Sequence, residues 1–96
     1  EEFYVLRDKP YSRESVRVLA HLDTAGLDLK RPEYHRKDGD IPVALAKTVG
    51  KGRTLWSVFG HAAETWDDPD VQKMYFEAIK WAMRLTDGDA TPRKRP

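Results

Sequence analysis

Residues 51–66, KGRTLWSVFGHAAETW, put a strand, a break and two titratable side chains in quick succession. Arg53 to Phe59 mixes aromatic and aliphatic residues with Thr54, and reads as a strand. Gly60 ends it, and His61 and Glu64 follow directly. Asp67, Asp68 and Pro69 then open an apolar-periodic helix. The chain therefore passes from strand to helix through a short loop that holds an imidazole and a carboxylate. In α/β proteins that junction commonly carries ligands and chemistry.

Upstream, Ile41 to Phe59 predicts a β-hairpin (41–59) turned by Gly50-Lys51-Gly52, since glycine tolerates positive φ. Ile41, Val43, Leu45 and Lys47 share one face, and Ala44, Ala46 and Thr48 the other. On the return strand Thr54, Trp56 and Val58 oppose Leu55, Ser57 and Phe59. Apolar groups on both sides predict a sheet covered on both faces, with the alanines allowing a second layer to approach closely. Downstream, Asp68 suits an N-cap, Pro69 the first helical position, and Asp70 the positive helix start. Val71, Met74, Tyr75, Ala78, Ala82 and Leu85 recur at helical spacing, widened by Ile79 and Trp81, which predicts a helix over about 69–86 with Gly88 as its stop.

Further upstream the signals weaken. Phe3 to Leu6 is a short β-prone run closed before Pro10. Ser12 can cap one helical turn. Val16 to Leu22 alternates and predicts a strand. Asp23 to Asp40 reads as a long charged loop of the kind that is often functional or mobile. Residues 1–88 form the expected folded portion and 89–96 a disordered basic tail.

The composition is 40% hydrophobic and 34% charged with a formal net charge of +1 and no cysteine. The near-neutral charge gives no general field for nucleic acid, and Arg93-Lys94-Arg95 reads as a solvated tail. No apolar run approaches the roughly 20 residues of a membrane span. The lack of cysteine removes disulfides, thiolate metal sites and a cysteine nucleophile from these residues. The expected partners are thus neither nucleic acid nor membrane; the cofactor is unassigned and no metal site is expected. Glu1 opens the chain without an initiator Met, which suggests a piece of a longer protein. The compartment, bacterial cytoplasm or export, stays open.

His61 and Glu64 are the candidate catalytic pair. A carboxylate can hold one ring N–H of the imidazole, fix its tautomer and raise its basicity. The plain alternative has Glu64 capping the helix approach and His61 bonding a backbone carbonyl. Asp67 and Asp68 fit helix capping better than paired catalysis. His21 reads as a packed or solvated strand residue, and His35 as part of a solvated loop. HExxH spacing is absent, and Gly50-Lys51-Gly52 lacks phosphate-loop spacing. Of the tryptophans, Trp56 and Trp81 read as core, and Trp66 as the candidate ligand-binding face for a sugar ring.

The segments EEFYVL (1–6), SRESVRVLAHLD (12–23), IPVALAKTVGKGR (41–53) and LWSVFGHAAETWDDPDVQKMYFEAIKWAMRL (55–85) resemble the C-terminal part of ThuA-like domains, the trehalose-utilisation family. The glycines, the HxxE spacing and the DP step carry the likeness. Leu45, Val49 and Thr54-Leu55 depart from it. The resemblance implies an α/β, class I glutamine amidotransferase-like (flavodoxin-like) layered fold in a domain roughly twice this length. It further implies a role in bacterial carbohydrate metabolism, on trehalose or a keto-sugar. In amidotransferases a His-x-Glu pair serves an upstream cysteine; His61 and Glu64 have one more residue between them, so that glutaminase chemistry does not transfer. Two other readings stand beside the sugar site: a non-catalytic binding or scaffold module, and a metal-dependent hydrolase that uses His61 with upstream ligands.

Overall fold

Alternation in the sequence becomes an antiparallel three-stranded sheet of order β1-β2-β3, with β1 Arg17–His21, β2 Pro42–Val49 and β3 Gly52–Ser57. A 3-10 helix, Ala63–Asp67, and the helix α1, Pro69–Ala82, complete the chain. The computed structural model describes residues 1–34, 36 and 38–95; His35 lies outside the described residues. The result is a small α/β arrangement with one C-terminal helix.

Register fixes which side chains share a face. Leu45 pairs with Trp56 and with Val18, while Ala46 pairs with Leu55 and with Arg17. The two faces of the hairpin are therefore those read from the alternation. Gly50 takes φ 58° in the turn, and Val49 pairs with Gly52, so Gly50-Lys51 is the two-residue connection. A register shift between Val18 and Ala20 leaves Leu19 unpaired in β1.

Both faces are covered, by different means. On one face the N-terminal segment lies over the sheet: Tyr11, Val16 and Val18 are buried together, with Leu6 and Leu45 packed against them. On the other, α1 approaches over Ala46 and Leu55 through Met74, Ala78 and Trp81, which line one shared gap. Small alanines allow that approach. Ile41, Val43 and Ala44 are also buried, so the core centres on β2.

The structure corrects the sequence reading at several elements. Phe3 to Leu6 forms no strand, because β1 has only β2 as a ladder neighbour and the segment is used as a cover instead. Residues 12–15 form a turn rather than a helix, with Ser12 Oγ accepting from Glu14 N–H. The helix stops at Ala82, not near residue 86. There Arg84 takes φ 63°, Leu85 N–H donates to Lys80 O (2.9 Å) and Arg84 N–H to Trp81 O (3.0 Å). This left-handed closure ends the helix without the glycine the sequence offered at Gly88. No side chain of α1 is fully buried, and Ile79, Ala82 and Leu85, expected on its packed stripe, are exposed. Trp56 and Trp81 are only partly buried.

Two polar devices hold the irregular parts. Asp40, 3% exposed, ends the long loop and receives Tyr11 O–H (2.9 Å) and the Arg13 guanidinium (2.7–3.1 Å). Residues 89–95 have no regular structure but lie along the β1 side. There Arg17 reaches Thr91 O, Arg93 reaches Val18 O, and Arg95 reaches Asp38 O and Gly39 O.

Candidate functional site

The site starts where β3 runs out. Val58 is buried and its N–H still pairs with Val43 O (3.0 Å), so the strand direction is held to that point. Ser57 Oγ then accepts Phe59 N–H (3.1 Å) and begins the turn. Gly60 follows with φ 132°, a backbone state that side-chain-bearing residues rarely take. A Cβ there would also sit 2.6 Å from the Trp66 ring. Gly60 is thus required twice, by its backbone and by the indole packed on it.

Trp66 is placed from three directions. Its Nε1–H donates to Gly60 O (3.0 Å), and its ring stacks on Tyr75 of α1 at 5.1 Å between centroids. Gln72 Nε2 donates to Trp66 O (2.6 Å). Tyr75 O–H in turn donates to Phe59 O, tying α1 back to the end of β3. Asp68 caps α1 by accepting from Asp70 N–H (2.8 Å) and Val71 N–H (3.4 Å), as the capping reading of that residue predicts. Trp66 as a whole residue stays 48% exposed.

The loop itself forms an anion cradle. The N–H groups of Gly60, His61 and Ala62 point at the Glu1 carboxylate at 3.1, 3.2 and 3.2 Å, and Thr65 O–H donates to the same group. Thr65 is the largest influence that favours the ionised form, and with the three amides it holds the Glu1 carboxyl well down, at about 2.

His61 projects beside this cradle with its side chain 65% exposed. Its Nδ1 lies 3.1 Å from Glu2 Oε2. An ionised carboxylate only accepts, so this approach favours the tautomer with its hydrogen on Nδ1, in which the neutral ring keeps its lone pair on Nε2. The expected pairing of His61 with Glu64 is not formed. Glu64 lies exposed on the 3-10 helix and makes no hydrogen bond or ion pair among the described residues. The N-terminal segment crosses the loop and brings Glu2 to the imidazole instead. Glu1, Glu2, Thr65 and Tyr75 were therefore missed as site residues. Thr65 was legible as a hydroxyl one position after Glu64, whereas nothing local ties residues 1–2 to residues 60–62.

The remaining titratable candidates lie elsewhere. His21 is exposed and its Nδ1 is 3.1 Å from Leu22 O. Among the described residues no group of three His, Cys, Asp or Glu side chains converges as a metal site. No helix there is long and apolar enough to cross a membrane.

The candidate site of this small α/β arrangement is therefore a strand-to-helix corner with an exposed imidazole close to a carboxylate and a half-exposed indole on the same loop. The family model for ThuA, trehalose utilisation, matches residues 1–82, and the chain belongs to that family. No significant match is found among curated proteins or solved structures.

Proposed function

We propose that this chain handles a neutral sugar or keto-sugar at the His61 corner, in the carbohydrate metabolism that the family's trehalose-utilisation description points to. The observation that carries the reading is the 3.1 Å approach of Glu2 to Nδ1 of a 65% exposed His61 side chain, which in this reading leaves Nε2 free to act as a base. In this reading His61 takes a proton from a sugar hydroxyl or an α-carbon, and Glu2 stabilises the imidazolium that forms. Trp66 supplies an apolar face for the ring of the sugar. Glu64, exposed and uncommitted, accepts a hydrogen bond from a sugar hydroxyl. The flavodoxin-like, amidotransferase-type layering that the family suggests belongs to the same proposal.

The test is His61→Ala assayed with trehalose and keto-sugars. Loss of a general base lowers turnover by about 10²- to 10⁴-fold. Unchanged turnover and unchanged binding remove His61 from the mechanism. A second reading, a binding module without chemistry, is favoured by the 65% exposure of the imidazole, since no wall excludes water from it. It predicts sugar binding without product, and full tolerance of Glu64→Gln; any product eliminates it.

A further inference from the structure

Away from the His61 corner, the N-terminal segment does not seal the sheet face it covers. A groove of about 530 Å³ remains, floored by Leu6, Leu45 and Trp56 and rimmed by Arg7, Lys9 and Lys47. No carboxylate lines it. The ion pairs of the described residues engage Arg13, Arg17, Arg31, Arg36, His61 and Lys80, and none engages the three rim cations. On a chain with net charge +1, three cations around one apolar trough are a local excess.

The floor excludes the neutral sugar of the other site as occupant. It offers aliphatic and indole carbon, where a polyol would lose hydrogen bonds to water without replacement. The rim excludes a cationic or neutral apolar occupant as the best fit. What matches both is a molecule with an apolar body and one anionic head. The volume lies within the range of small-molecule sites and accommodates a chain of about a dozen carbons. We propose that this groove binds a medium-chain fatty carboxylate, its chain along Leu6, Leu45 and Trp56 and its head among Arg7, Lys9 and Lys47.

The experiment titrates the full chain with dodecanoate below its critical micelle concentration, by calorimetry. Dodecanol and trehalose serve as comparison ligands. Saturable binding at one site is expected, at least tenfold tighter for dodecanoate than for dodecanol, with trehalose failing to displace it. The double variant Arg7→Glu/Lys47→Glu is expected to weaken dodecanoate at least tenfold. Lys51→Glu, at the exposed hairpin turn, changes charge outside the groove and leaves affinity within twofold. A chain-brominated dodecanoate is expected to quench tryptophan emission, with most of the quenching lost in Trp56→Phe. The proposal is overturned by equal affinity for dodecanol, by equal weakening in Lys51→Glu, by quenching that survives Trp56→Phe, or by no saturable binding.

Discussion

Asp40 is the buried charged side chain of the described residues. Burial alone would raise its pKa, but the hydrogen bonds from Arg13 and then Tyr11 outweigh it and hold the carboxyl below its ordinary value of 3.8. Burial, and then the bond to Asp40, pushes Tyr11 up to about 12. A lowered folded pKa means the stabilisation is fully present above the unfolded value. It is lost as pH falls through the folded one. Asp40→Asn is therefore expected to cost roughly 3 kcal/mol at neutral pH, because Arg13, 16% exposed, loses its carboxylate partner, whereas Arg36 keeps Asp8 and Asp38. It should also flatten the loss of stability below about pH 4, measured by urea midpoints across pH. Gly60→Ala is expected to lose about 2 kcal/mol or more, since both the φ of 132° and the Trp66 contact oppose a methyl group. At this scale the sequence showed Gly60 and His61 in their places. It could not show Glu2, because a contact across 59 positions leaves no local pattern. For the same reason Asp40 read only as the end of a charged loop.

Elements with local signatures were legible, and those set by distant partners were not. The hairpin faces followed from alternation, and Asp68 with Pro69 marked the start of α1. Its end was misplaced because closure at Arg84 depends on long-range bonds. Arg53 of β3 donates to Trp81 O (2.9 Å) and Thr86 O (3.0 Å) and stacks over the Trp81 ring at 5.3 Å, while Arg84 reaches Lys51 O. Asp68→Ala should cost about 1 kcal/mol in urea unfolding, the usual loss of an N-cap. The burial along α1 gives a sharper contrast. Ile79→Lys, at a position 58% exposed, should change stability by less than about 0.5 kcal/mol. Val18→Ala, at a position 2% exposed, should cost roughly 2 kcal/mol. Equal effects would mean that the helix packs through its other face.

Over the whole molecule, the strongest burial sits on β2 and its neighbours, while Phe76, Ile79, Met83 and Leu85 stay 58–67% exposed along α1 and just beyond it. Stability therefore comes from a sheet clasped by the N-terminal segment on one side and by the helix on the other. That clasp also delivers Glu1 to the 60–62 amides and Glu2 to His61, so the part that completes the core orders the site as well. The chain belongs to the trehalose-utilisation family, and the sugar chemistry proposed for this corner can be tested there. The most direct measurement is a nitrogen-detected NMR titration of the imidazoles with trehalose. His61 is expected to be the Nδ1–H tautomer when neutral, and its Nε2 and the Trp66 indole signals should shift saturably while His21 stays still. An Nε2–H tautomer at His61, or signals from His61 and Trp66 that do not move while sugar is added, would contradict the account.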